Sequence, residues 1–285
     1  MITKKSGALI RWVPAWLKYW LRRREAQVLY RSQNQNIYHC TVQKCASQWV
    51  RATLSDPRVF RFCGLRPYRY QDDLPGNHDP RKLTERRFGK AFPSRSIGTT
   101  IYTDYAGFAS IPKPASYKAF FVMRDPRDVL VSWYFSSKFS HPLMGELSRI
   151  RQDLHRHTEA DGLLYSLEYL DEFGLFAAQR SWANATTMDA NVRLIRYEDL
   201  IAEKSLATFE QLLGHCDIRL PSNELESLLR SYRFEQLSGR ARGQEDHTAH
   251  FRKGVAGDWK NHFNDKIEAR FDNVAGDVLS RWNYS

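Results

Sequence analysis

Three short basic stretches have the residue types and spacing to hold an anion. The first is Gln43-Lys44-Cys45-Ala46-Ser47-Gln48-Trp49, whose small residues let backbone N–H groups and the start of a following helix face a negative group, with Lys44 adding a full positive charge. It is not a GxxxxGK[ST] triphosphate loop, a pattern the chain lacks. The second is Arg124-Asp125-Pro126-Arg127-Asp128, where a strongly basic side chain at the positive end of a helix dipole is useful mainly if an anion is there too. The third is Phe251-Arg252-Lys253-Gly254, with Gly257-Asp258-Trp259-Lys260 just behind it. Two adjacent cations before a glycine suit a phosphate contacted from a loop. Each stretch alone reads equally well as a solvated charge cluster. Two histidine pairs, His155-x-His157 and His247-x-x-His250, have ligand spacing, but no Cys or carboxylate set completes them, and no metal is expected.

The elements around these stretches are strand-turn-helix units. Residues 37–42 (IYHCTV) form a short apolar run rich in β-formers, and a helix-like segment follows from Ser47 to Leu54. Residues 56–98 are rich in Pro, Gly and charge, which predicts irregular loops with one short helix at most. Residues 99–105 (TTIYTDY) and 118–123 (KAFFVM) are strand candidates, the second uniformly apolar as central parallel strands are. Asp125-Pro126 supplies an N-cap and an N1 proline for the helix carrying VLVSWYF. Helical spacing covers roughly 145–185, and a further strand runs into Tyr197-Glu198-Asp199. Helices are predicted at 203–214 and 222–230, and a loop at 238–258, whose Gly, Arg and His content has no period. Repeated strand-then-helix alternation argues for a parallel sheet covered on both faces.

At 285 residues, with 42% hydrophobic and 13% aromatic content, disorder, collagen-like repeats and coiled coils are excluded. No apolar stretch approaches the ~20 residues that span a bilayer. Cys40, Cys45, Cys63 and Cys216 form no CxxC pair, so a reducing compartment, the cytoplasm, is the default. The net charge of +11 is uneven: residues 1–31 hold eight Lys/Arg against Glu25. This segment is expected to be an appendage to a single domain spanning 32–285. From Pro14 it has helical spacing, with Trp12, Trp16 and Trp20 on one stripe among cations, the pattern of an interfacial helix on an anionic membrane; docking on the protein's own body is the competing reading.

Taken in order along the chain, these stretches resemble the sulfotransferases that use 3′-phosphoadenosine 5′-phosphosulfate (PAPS), over about residues 37–285. VQKCASQW is similar to that family's 5′-phosphosulfate loop, FFVMRDPRDVLVSWYF to its 3′-phosphate strand and helix, RYEDL to its Tyr-Glu-Asp segment, and FRKGVAGDWKNHF to its terminal Arg-Lys-Gly motif. The resemblance implies a P-loop, nucleotide-kinase-like α/β fold and PAPS as donor without a metal. It implies that Lys44 sits on the bridging oxygen and leaving group, while the backbone of Cys45, Ala46, Ser47, Gln48 and Trp49 and the Ser47 hydroxyl hold the 5′-phosphate. It further implies that Trp49 and Phe234 sandwich the adenine, that Tyr197 reaches its edge, and that Arg124, Ser132, Arg252, Lys253 and Gly254 take the 3′-phosphate.

The chain also departs from that family. Ala46 stands where the family usually has Gly, tolerable if its φ is negative, and Gln48 stands in place of Thr or Ser. The Lys-Thr-Val segment through which cytosolic members dimerise is missing. So is the histidine base: the corresponding stretch is Ile101-Tyr102-Thr103-Asp104-Tyr105. Asp104 is then the expected base, with His141 the second candidate. The expected reaction is sulfuryl transfer to a hydroxyl, less often an amine, of a small-molecule, lipid or glycan acceptor. The alternative is a basic nucleotide- or nucleic-acid-binding protein without turnover, disfavoured because the charge excess is concentrated in residues 1–31; no nucleic-acid partner is expected.

Overall fold

A buried apolar strand at the chain's first strand-turn-helix unit organises everything else. In the computed structural model, which describes residues 27–143 and 145–284, β1 (Asn36–Thr41) is buried along its whole length. It lies at the centre of a five-stranded parallel sheet with β2 (Arg66–Tyr68), β3 (Ser96–Tyr102), β4 (Tyr117–Met123) and β5 (Val192–Arg196), in the order β2-β3-β1-β4-β5. Side chains alternate between two cores: Tyr38, Cys40, Phe121 and Met123 face one, and Ile37, Phe120 and Val122 the other. Both faces are covered by helices, as uniformly apolar strands require. Trp182, fully buried, stacks on Phe121 with ring centroids 4.6 Å apart.

The helix after β1 spans Ser47–Leu54 and the one after β4 spans Pro126–Phe135, each where the sequence places it. Asp125 caps the second, accepting from the Arg127 N–H at 2.9 Å, with Pro126 at its first position. Elsewhere the boundaries move. β3 starts at Ser96 inside the segment read as loop and ends at Tyr102, because its polar start is fixed by pairing with β1 (Asn36 with Ser96) rather than by local propensity. The same loop-like segment also holds helix Pro57–Arg61 and β2. Tyr197 begins a short helix, Tyr197–Ile201, instead of ending a strand. The helical region near 145–185 is divided among Leu147–Arg156, Glu159–Glu172 and Leu175–Trp182. No element is expected from the sequence at Asp265–Arg281, which forms a 17-residue helix that buries Ile267, Phe271, Ala275 and Val278.

The helix expected from Pro14 and the stripe Trp12, Trp16 and Trp20 lie outside the described residues. Within the described end of that segment, the Tyr30 hydroxyl donates to Asp217 at 2.7 Å, and the Leu29 N–H donates to the Arg61 carbonyl at 2.8 Å. Among the described residues, no helix is long and apolar enough to cross a membrane.

Candidate active site

Parallel strands end at one edge of the sheet, and the turns after β1 and β4 meet there beside the loop leading to the last helix. Together they line a cleft of about 930 Å³. On its floor the turn after β1 coils tightly: Lys44 and Ala46 have φ of 66° and 58°, and Ala46 is the N-cap of helix Ser47–Leu54. Left-handed residues in such a turn direct successive N–H groups to one side, an anion-binding concavity at a helix N-terminus. The condition under which alanine would be harmless at position 46, a negative φ, is therefore not met. A β-carbon in this conformation costs about 1–2 kcal/mol relative to the right-handed region, so the chain carries strain where glycine would relieve it. The Ser47 hydroxyl lies 2.7 Å from that of Tyr102, which also accepts from the Gln48 amide at 3.4 Å. Lys44 has no carboxylate partner among the described residues; burial, then the nearby charges of Arg124 and Arg252, pull its pKa down to about 8.

Arg124 leaves the end of β4 and enters the same cleft. Its guanidinium donates to the Lys44 and Val255 carbonyls, both at 3.3 Å, and lies 4.7 Å from the Tyr197 ring centroid. Burial opposes its charge, but Asp128 at 3.6 Å, with Tyr197 and Glu198, outweighs this and keeps it firmly protonated. Ser132, two helical turns beyond Arg124, lines the same wall. Asp128, which the sequence reading passes over, joins the second and third basic stretches: its carboxylate accepts from the backbone N–H groups of Gly257 at 2.8 Å and Trp259 at 3.0 Å. Spacing offers a signal for it, since Asp128 is one turn beyond Arg124.

Arg252 and Lys253 reach the cleft from the opposite side. Both donate to the buried Asp258, Lys253 at 2.5 Å, and Arg252 also pairs with the less buried Glu245. Burial pushes the Asp258 carboxyl up, but hydrogen bonds from His262, Lys253, Asn261 and Arg252 overcome it and hold the group far below the usual carboxylate range. Glu245, Asp258 and His262 present ligand atoms within 4.8 Å of one another, yet the two carboxylates already neutralise Arg252 and Lys253. The other histidines with ligand spacing make aromatic contacts: His247 stacks on Phe135 at 4.6 Å, and His155 meets Phe139 edge-on at 5.7 Å.

Trp49, Tyr197 and Phe234 line the apolar end. Trp49 meets Phe209 edge-on at 5.6 Å. Among the described residues, the Nε1 of Trp49, the Nε of Arg124, the Oγ of Ser136 and the Oε1 of Gln43 are buried at this cleft without a hydrogen-bond partner. Native proteins seldom leave such groups unsatisfied, so four of them in one cleft fit a polar ligand. The cleft thus gathers several cationic and backbone donors, flat apolar side chains and a lysine.

The two candidate bases part company. Asp104 does not line the cleft: its Oδ1 accepts from the Gly107 N–H at 2.7 Å, capping helix Tyr105–Ser110, and from Arg87 at 3.2 Å. Burial raises its pKa, against the lowering by Gly107 and Arg87. His141 stands on the cleft rim after a π-turn, Ser136–Ser140, and its N–H donates to the Ser136 carbonyl at 2.7 Å. Its Nδ1 is 3.0 Å from the Pro142 carbonyl. A carbonyl only accepts, so Nδ1 carries the proton and Nε2 keeps a lone pair. Loss of water, and the charges of Lys44, Arg151 and His78, pull its pKa below the usual 6.5, against a raising contribution from the Pro142 carbonyl. His250 also lines this end.

A family model for the Sulfotransferase domain matches residues 109–283, more than half of the chain and including Arg124, Ser132 and the terminal basic motif. The chain belongs to the sulfotransferase domain family. This sulfotransferase is 27% identical over 203 residues to the 3-beta-hydroxysteroid sulfotransferase of Cavia porcellus, covering 67% of each chain. It is 28% identical over 182 residues to cytosolic sulfotransferase 1 of Arabidopsis thaliana, covering 59% of this chain and 52% of the plant protein. The matched part thus spans between about half and two thirds of these relatives. Among solved structures, a mouse sulfotransferase complexed with PAP superposes with a TM-score of 0.58 at 17% identity, covering 90% of this chain and 91% of the mouse chain. At that identity the likeness establishes the fold, the parallel α/β architecture expected from the sequence.

Proposed function

We propose that this sulfotransferase transfers a sulfuryl group from PAPS to an acceptor hydroxyl by in-line displacement. The observation that carries the reading is the meeting of three basic stretches, far apart in sequence, around one cleft whose buried polar groups include four without a partner among the described residues. Bound there, PAPS would supply the activated sulfuryl group. The turn from Cys45 to Trp49 would hold its 5′-phosphate and Arg124, Ser132, Arg252 and Lys253 its 3′-phosphate, with the adenine between Trp49 and Phe234. Lys44 would meet charge growing on the leaving oxygen. His141, neutral and with a free Nε2, would take the acceptor's proton; Asp104 is engaged in capping. Because cations and dipoles match the donor's charge, no metal is needed in this reading.

Calorimetry with PAP, the desulfated product, tests the donor assignment. PAP should bind with a chelator present, AMP should bind far more weakly, and Arg124→Ala should weaken PAP by about 2–4 kcal/mol through loss of a charge-assisted pair. Equal affinity for AMP and PAP would remove the 3′-phosphate assignment.

The acceptor is proposed to be a hydroxyl-bearing small molecule, lipid or glycan, and the protein to be cytoplasmic. Residues 1–31 are proposed to bind anionic membranes, since each Lys or Arg near such a surface contributes about 1 kcal/mol. Loss of co-sedimentation with anionic vesicles on removing residues 1–26 supports this; vesicle binding unchanged by the truncation, or none in the full chain, counts against it.

A further inference from the structure

Arg51 is a cation in the cleft that the donor assignment leaves unused. Other cations lining it are balanced or exposed: Arg124 pairs with Asp128, Arg252 and Lys253 with Asp258, and Arg242 with Glu235, while Arg230 and Arg233 face solvent. Lys44 and Arg51 are half-buried, and neither has a carboxylate within ion-pair distance among the described residues. Partial burial and then the charge of Arg69 disfavour the charged form of Arg51, and Tyr102 and Asp72, the latter tied to Arg69 at 3.1 Å, only partly offset them. A half-buried guanidinium on a cleft wall keeps only part of its hydration and stands open to an anion that enters the cleft.

Its position says where that anion lies. Arg51 is on helix Ser47–Leu54, one turn beyond Ser47 and three residues beyond Gln48, so the three share a face. Helical side chains lean toward the N-terminus, which points Arg51 back to the turn of Lys44 to Gln48. Across that end stands Tyr102, whose hydroxyl contacts both Ser47 and Gln48. Trp49 and Phe234, which the donor reading sets against the adenine, line the same cleft.

We infer that Arg51 binds an oxyanion at the Lys44 end of the cleft, beyond the 5′-phosphate. Resting on the donor reading above, the inference allows two sources of the same chemistry: the sulfuryl oxygens of the donor, or a carboxylate, sulfate or phosphate on the acceptor. In the first case Arg51 works beside Lys44; in the second it selects acidic acceptors over the hydroxysteroids named for one relative.

Inorganic sulfate is the probe. Titrated calorimetrically into protein saturated with PAP, it should bind the native chain, bind Arg51→Gln at least about 10-fold more weakly, and recover with Arg51→Lys, as loss of a charge-assisted contact predicts. PAP affinity itself should stay within about 2-fold in both variants, and their melting curves report folding. If Arg51→Gln weakens PAPS but not PAP, the anion is the donor's sulfuryl group. If methyl glucuronide displaces sulfate and methyl glucoside does not, it is an acidic acceptor. Equal sulfate binding by native and Arg51→Gln protein, or none by the native complex, overturns the inference. Should PAP fail to bind, the donor reading falls, and sulfate titrated into the protein alone decides the role of Arg51.

Discussion

Phe234 occupies the space that a side chain on Gly254 would fill: a Cβ built at Gly254 would come within 2.4 Å of the Phe234 ring. The glycine after Arg252-Lys253 is thus required twice, by this approach and by its φ of 71°. The terminal loop and the aromatic wall are set against each other, so the position of one fixes the other.

Gly254→Ala should therefore weaken PAP binding by at least about 10-fold, by pushing Phe234 from its place, and lower stability by about 1–2 kcal/mol through the left-handed backbone. Calorimetry and thermal melting check the two effects separately. Unchanged PAP affinity in a folded variant would mean that Phe234 does not contact the nucleotide.

Lys44→Met should lower kcat by roughly 100-fold or more while changing PAP affinity less, because the charge Lys44 meets develops during transfer. Steady-state kinetics beside calorimetry make the comparison. A variant that loses affinity alone would make Lys44 a binding residue.

The pH dependence of kcat/KM should be bell-shaped. His141 must be neutral to accept a proton, and its pKa lies below 6.5, so activity rises with pH through the mildly acidic range and is complete near neutrality. Lys44 must be charged, and with a pKa of about 8 it gives a falling limb above that pH. His141→Gln should depress turnover and abolish the acid limb; Lys44→Arg should move the alkaline limb upward. Survival of the acid limb in His141→Gln, together with its loss in Asp104→Asn, would return the base to Asp104.

Ala46→Gly should stabilise the protein by about 1 kcal/mol, since the relief of a left-handed alanine exceeds the entropy that glycine adds to the unfolded chain. The melting temperature rises if this is correct. A fall would show that the Ala46 methyl group makes compensating contacts with the core it packs against.

The contiguous parts of the cleft were legible in the sequence. A turn of small residues ahead of Ser47, an N-cap and proline at Asp125-Pro126, and adjacent cations before Gly254 act through neighbouring backbone and one helix N-terminus, so their meaning survives without tertiary context. The sheet was legible where strands are short runs dominated by apolar and β-forming residues, as at β1 and β4. Tertiary structure decided what faces what. Ser96 is in a strand because it pairs with Asn36, some 60 residues away. Asp104 became a helix cap rather than a cleft residue because the Gly107 N–H and the Arg87 guanidinium claim its carboxylate. Asp128 reached Gly257 and Trp259 across about 130 residues, while Arg51 pairs with no carboxylate among the described residues because the nearby Asp72 is tied to Arg69. Local sequence specifies dipoles, caps and charges; which of them are neutralised, buried or left open to a ligand depends on contacts between distant segments, which only the folded chain brings together.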